Sequence, residues 1–308
     1  MGKSEKYRGI IPAFYACYDG QGKISPQRVQ ELTRYFVEKG VKGVYVNGSS
    51  GECIYQRVEE RKMVIENVME AAKGRLTVIN HVACNNTEDS MELAEHSESL
   101  GVDAIASIPP IYFRLPEYSI ASYWNAVSSA APNTDFIIYN IPQLAGTALT
   151  MSLFGEMLKN PRVVGVKNSS VSTQDIQMFK AAGMAARDEF IVFNGPDEQF
   201  TAGRAIGADA GIGGTYGVMP GLFLKLNELI EKGEREKAVG LQYDINEVIY
   251  KMCSAHANMY AVAKEILRQK EKLDIGGVRL PLENLKDQDM GIAREACAMI
   301  QEAEQKYL

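Results

Sequence analysis

The chain has 308 residues, 46% of them hydrophobic and 23% charged, with a net charge of −6. That length and balance provide an ample core and set aside disorder and fibrous repeats. The negative charge, with no basic run interleaved with aromatics, sets aside a nucleic-acid partner. Five scattered cysteines, Cys17, Cys53, Cys84, Cys253 and Cys297, show no C-x-x-C spacing and are expected as free thiols, Cys53 and Cys84 as packing residues. No signal-like apolar segment opens the chain, and no apolar run reaches the roughly 18–20 residues of a membrane helix, so a cytoplasmic location is expected.

In chain order, short β-branched or apolar runs predict strands over 9–14, 43–47, 76–82, 103–108, 135–141, 163–167, 190–194 and 210–213. Helical periodicity fills the gaps. Over 25–39 it places Val29, Leu32, Phe36 and Val37 on one face, and over 58–72 it does so with Val58, Val64, Ile65, Val68 and Met69. The segment 86–100 opens on a polar cap and ends before Gly101, a C′ glycine. Eight alternations predict an α/β fold, a parallel (β/α)8 TIM barrel. An open doubly wound sheet is the alternative, but its G-x-G-x-x-G turn is missing after the first strand. Beyond Met219 helices are predicted over 222–232, 234–252, 258–269 and 288–307, with a loop over 274–282. The expected organisation is a barrel over 1–218 and a C-terminal helical extension over 219–308 packed on it as one unit.

Barrel enzymes build their sites at the C-terminal ends of the strands. Ser49, Ser50 and Glu52 follow the second strand, Tyr112 the fourth, and Tyr139 and Asn140 end the fifth. Lys167 ends the sixth, residues 194–198 follow the seventh and residues 213–216 the eighth. In PRVVGVKNSS, Lys167 belongs to a strand pointing into the barrel, where desolvation lowers an amine's pKa toward the neutral form that attacks ketones. Tyr139 on the neighbouring strand offers a phenol for proton transfer, and the turn NGSSGE at 47–52 offers backbone N–H groups and two hydroxyls to an anion. Singly, these fit a snorkelling lysine, a core tyrosine and an ordinary tight turn. Only their combination rises above those readings, with the anion of the turn a phosphate or a carboxylate. The three histidines, His81, His96 and His256, lack ligand spacing, and neither a metal nor a cofactor is expected.

GSSGE at 48–52, YNIP at 139–142, GVK at 165–167, FNGPDE at 193–198 and GADAGIGGTY at 207–216 resemble, in order and spacing, the N-acetylneuraminate lyase/dihydrodipicolinate synthase family. The resemblance runs from about residue 8 to at least 220. It implies a Schiff base on Lys167, proton relay by Tyr139, and a substrate carboxylate held by Ser49 and Ser50. It also implies a hydroxyl relay of Ser49, Tyr139 and Tyr112, the last entering a neighbouring subunit's site within a homotetramer built as a dimer of dimers.

Two positions place the chain nearer the lyase branch. Dihydrodipicolinate synthases carry an arginine two residues after the YN(V/I)P proline, where this chain has Leu144, which makes no bidentate carboxylate contact. NGPDE matches the lyase pattern in which Gly195, Asp197 and Glu198 grip a polyol tail, with Gly213 and Gly214 completing the contacts. His81-Val82-Ala83-Cys84 also resembles the lyase third strand. Gly214 departs from the serine common in lyases, which removes one hydroxyl contact. The resemblance thus implies a lyase that cleaves N-acetylneuraminate to N-acetylmannosamine and pyruvate. The alternatives are a dihydrodipicolinate synthase, a 2-keto-3-deoxy sugar acid aldolase, or a catalytically retired sugar-acid-binding barrel.

Overall fold

The structure is a computed structural model that describes residues 4–308. Eight strands form one parallel sheet: β1 (Ile10–Pro12), β2 (Gly43–Val46), β3 (Thr77–His81), β4 (Ala104–Ser107), β5 (Asp135–Asn140), β6 (Val163–Asn168), β7 (Ile191–Asn194) and β8 (Ala210–Gly213). From β2 to β8 each strand pairs with the next in sequence, and β1 pairs with β8. The barrel closes just past β1, where Ala13 bridges Tyr45 in parallel and the Phe14 N–H donates to the Tyr45 carbonyl at 2.8 Å. The first strand is shorter than the expected 9–14. Pro12 has no N–H to give the ladder, and the chain continues through single bonds from Ala13 to Gly213 and from Phe14 to Tyr45.

Around the barrel run α1 (Pro26–Glu38), α2 (Val58–Ala72), α3 (Thr87–Ser99), α4 (Glu117–Ala130), α5 (Pro142–Ala145), α6 (Met151–Met157), α7 (Thr173–Ala186), α8 (Phe200–Ala205) and α9 (Pro220–Glu231). Their starts follow local chemistry. Ser25 caps α1 with Pro26 behind it, and Asn86, Thr150 and Ser172 accept from first-turn N–H groups of α3, α6 and α7. Gly101 has the left-handed φ of +74° that a C′ glycine requires. On α1 the expected face is buried, with Tyr35 added and Val37 packed at its edge.

Strand alternation divides the apolar residues into two layers. Val44, Val46, Val78, Ile105, Ile138, Val166 and Val192 pack outward on the helices, whereas Ile11, Ile79, Ile137, Ile191, Phe193 and Ile212 fill the barrel interior. Tyr7 closes the N-terminal mouth, its hydroxyl shared between the Asp103 carbonyl at 2.8 Å and the Asp135 carboxylate at 2.7 Å. The interior is thus filled from below, and open space remains at the C-terminal ends of the strands.

α9 packs on β1 and α8, and also on α10 and α12. The remaining helices are α10 (Arg235–Cys253), α11 (Met259–Ile266) and α12 (Met290–Tyr307). The expected helix over 258–269 ends early, because the chain widens into a π turn over Leu267–Glu271. Among the described residues no helix is long and apolar enough to cross a membrane.

The interior packing is testable at a residue of the filled layer. Ile137→Ala empties part of the filled layer and should lower stability by about 2–5 kcal/mol, read as a reduced urea midpoint with an unchanged slope.

Candidate active site

Lys167 lies at the C-terminal end of β6, with Tyr139 of β5 as its register partner on one side and Phe193 of β7 on the other. Only 5% of Lys167 is exposed. Its Nζ sits over two aromatic rings, 3.9 Å from the centroid of Tyr139 and 4.4 Å from that of Tyr45. Burial pushes the ammonium down from 10.5 to about 7, against the attraction of the Asp197 carboxylate. The amine is therefore substantially neutral near pH 7.

Tyr139 is buried edge-on to Tyr45 and to His81. Burial raises its phenol to about 12, against a lowering by the hydroxyls of Ser49 and Ser169. A neutral amine and a protonated phenol thus stand side by side. His81 is held well below its usual pKa by burial and by the Arg61 guanidinium, and its Nδ1 lies 2.9 Å from the Asn47 carbonyl, so the ring is neutral with its proton on Nδ1. His96 pairs with Glu66 and His256 with Asp289. Among the described residues no group of three His, Cys, Asp or Glu side chains is gathered as a metal site.

A cleft of about 320 Å³ opens over Lys167 and gathers most of the sequence-predicted residues: Ser49, Ser50, Tyr139, Gly195, Asp197, Glu198 and Gly214. Asp197 is buried, with Oδ2 accepting from the Thr215 N–H at 2.6 Å and the Thr215 hydroxyl at 2.5 Å, while Oδ1 has no partner. Burial raises its carboxyl to about 6. Glu198 is exposed at the rim. Gly195 is required by close approach, since a Cβ there would lie 2.0 Å from Ser169 Oγ. Gly213 lies beneath Asp197, where a Cβ would come within 2.1 Å of Oδ1. Gly214 is different. A Cβ there would make only ordinary contacts, 3.5 Å from Ser50 Oγ and 3.6 Å from Tyr260 Oη.

One predicted residue stands apart. Tyr112 is 89% exposed, adopts φ +86° and lines a separate groove with Phe113 and Tyr118. Leu144 sits exposed at the rim, lining both the cleft and a neighbouring chamber of about 560 Å³. That chamber also holds Cys53 and Cys84, and Cys84 Sγ accepts from the buried Arg61 at 3.1 Å. Arg61 itself ties α2 to the end of β3 through the carbonyls of His81 and Ala83.

Sequence reasoning missed several residues of the cleft. Tyr45 was legible in principle, because alternation along GVYV turns it inward with the other interior residues. Thr215 lay within the 213–216 segment expected at the barrel mouth, without a role of its own. Ile249, Cys253, Met259 and Tyr260 come from α10 and α11, and no local signal in the sequence announces that these helices reach the barrel mouth.

A solved structure of wild-type sialic acid aldolase from Ruminococcus gnavus aligns with a TM-score of 0.96 at 68% identity, covering 99% of this chain and 100% of its own. A catalytic lysine mutant of Ruminococcus gnavus sialic acid aldolase aligns at 0.98 and 67% identity, covering both chains fully. An N-acetylneuraminate lyase of Mediterraneibacter gnavus is 68% identical over 308 residues, spanning 100% of this chain and 97% of its own. The model of the dihydrodipicolinate synthetase family matches residues 6–298. With that match and a barrel whose C-terminal mouth gathers the lysine, tyrosine and serine pair, the chain belongs to the dihydrodipicolinate synthetase family.

Proposed function

We propose that this protein is a class I carbon–carbon lyase that cleaves N-acetylneuraminate to N-acetylmannosamine and pyruvate through a Schiff base on Lys167. The observation that carries the reading is the buried amine of Lys167, brought to about 7 beside the phenol of Tyr139. The 68% identical N-acetylneuraminate lyase and the acidic wall at Asp197 and Glu198 support the choice of substrate. Leu144, standing where a second carboxylate would need an arginine, disfavours the dihydrodipicolinate synthase alternative.

In this mechanism Ser49 and Ser50 hold the C1 carboxylate of the open-chain sugar acid. Neutral Lys167 attacks C2, and Tyr139 gives its proton to the carbinolamine oxygen, which leaves as water. The resulting iminium withdraws electrons from the chain. The Tyr139 phenolate takes the C4 hydroxyl proton as the C3–C4 bond breaks. The aldehyde departs, and the electron pair flows through C3 into an enamine. Tyr139 returns its proton to C3, and water hydrolyses the iminium to pyruvate and free Lys167, the released proton going back to the Tyr139 phenolate. Asp197, with one oxygen unpartnered, and Glu198 accept hydrogen bonds from the polyol tail. No cofactor enters these steps. The exposed Tyr112 beside Phe113 supports a homotetramer in which that loop meets a neighbouring subunit's site.

Treatment with pyruvate and borohydride should add one pyruvate-derived mass to Lys167. A folded protein without the adduct would favour the retired barrel, and an adduct elsewhere would remove Lys167 from the mechanism. Assays with N-acetylneuraminate, with 2-keto-3-deoxygluconate, and with pyruvate plus aspartate semialdehyde should show turnover of the first.

The pH dependence has a definite sign. Reaction with pyruvate should fall about tenfold per pH unit below 7 as the amine becomes protonated. Unfolded lysine keeps its proton up to 10.5, whereas folded Lys167 releases it near 7. Lys167 therefore costs stability most fully below pH 7, and the cost fades between 7 and 10.5. Lys167→Met should accordingly gain denaturant resistance over the parent at pH 6, with less advantage at pH 9.

Asp197→Ala should raise the KM for N-acetylneuraminate at least about tenfold, corresponding to a lost hydrogen bond to a charged group. Pyruvate adduct formation should persist. Equal loss of both reactions would remove Asp197 from tail recognition.

A further inference from the structure

A second lysine is as deeply buried as Lys167 and takes no part in the mechanism above. The side chain of Lys264, on α11, is 1% exposed and faces the fully buried carboxylate of Glu52. Its Nζ donates to Glu52 Oε1 at 2.7 Å and to the Gly277 carbonyl at 2.6 Å, and the Arg279 N–H donates to Glu52 Oε2 at 2.9 Å. The Arg279 guanidinium binds the Tyr55 carbonyl at 2.8 Å and Glu60 through both oxygens. Glu52 closes the turn that carries Ser49 and Ser50.

That turn is not self-sufficient. Asn47 and Glu52, neither of them glycine, both adopt left-handed backbone, at φ +56° and +54°. Such residues persist only where surrounding structure holds them. Internal bonds from the Gly51 N–H to the Gly48 carbonyl and from the Glu52 N–H to the Ser49 carbonyl shape the turn, but the C-terminal part of the chain fastens it. Tyr260 stands four residues before Lys264, on the same face of α11. Its phenol faces Ser50 across the space that Gly214, lacking a side chain, leaves open. One helix face thus meets the turn twice, at Ser50 and two residues later at Glu52.

We propose that Tyr260 and Lys264 are positioning residues, which set the carboxylate-holding hydroxyls of Ser49 and Ser50 by clamping the 48–52 turn from the C-terminal extension. The proposal rests on the reading that this serine pair receives the substrate carboxylate. It assigns the extension a part in substrate affinity rather than in bond cleavage.

The test uses the full chain, with two readouts: the pyruvate concentration giving half-maximal borohydride trapping on Lys167, and amide deuterium uptake over residues 48–56. Tyr260→Phe deletes only a hydroxyl and is the variant that keeps the fold. It should raise half-saturation about three- to tenfold, the size of one lost hydrogen bond, with the maximal trapping rate within twofold of the parent and faster exchange confined to the turn. The doubly neutral Glu52→Gln/Lys264→Met, which leaves no lone buried charge, should raise half-saturation further. Unchanged half-saturation in Tyr260→Phe, or a loss confined to the maximal rate, overturns the clamp. If the parent chain itself forms no adduct, the aldolase reading fails. The clamp then stands or falls on exchange alone, and turn protection equal to the parent's in both variants overturns it.

Discussion

Everything at this site depends on keeping one amine out of water without giving it an acid. A lysine in a low-dielectric interior either finds a carboxylate or loses its proton more readily. Lys167 is surrounded by the rings of Tyr45 and Tyr139 and by β-strand backbone, and the Asp197 carboxylate opposes its desolvation without overcoming it. The barrel makes this arrangement tolerable. Its interior is filled from below by Ile11, Ile79, Ile137 and Ile212, and Tyr7 closes the far end. Water then approaches the amine from the cleft side alone.

The second requirement is that nearby acid remain near without neutralising the amine's function. Asp197 is held back by Thr215, which occupies Oδ2 through both its N–H and its hydroxyl. The glycines below and beside it permit that placement, for a side chain at Gly213 would displace Oδ1 and one at Gly195 would strike Ser169. Thus Asp197 keeps Oδ1 without a hydrogen-bond partner in the protein. This is a buried acceptor left unsatisfied by the protein, which is costly unless a ligand completes it.

Much of this was legible in the sequence because it is periodic or local. Alternation along FIIYN and VVGVKN turns Tyr139 and Lys167 inward, and parallel pairing of consecutive strands makes them register partners. Gly101 as a helix end and Asn86 as a cap are single-residue signals read correctly. What was not legible is tertiary. The reach of Tyr260 to the barrel mouth depends on how α11 docks, and the burial of Arg61 depends on carbonyls at the end of β3. Neither follows from a window of neighbouring residues. The strand over 9–14 was overestimated for a local reason, since hydrophobic content overrode the missing N–H of Pro12.

The two buried lysines show how partner choice divides structural from chemical work. Lys264 keeps company with Glu52, the Gly277 carbonyl and the Tyr18 ring, so its desolvation is opposed by an opposite charge and two hydrogen-bond acceptors, although burial still holds its pKa below the ordinary value. Removing either member would strand a buried charge, at a cost of about 3–5 kcal/mol. Such a pair, bonded at both of the Glu52 oxygens, serves as a fastening. Lys167 has comparable burial but faces ring surfaces and an acid engaged elsewhere, so the neutral amine is accessible near pH 7. Burial depth alone would not have separated them. The deciding variable is whether an acid stands within contact distance, and a reading of lysines in barrel mouths should weigh that contact before it weighs exposure.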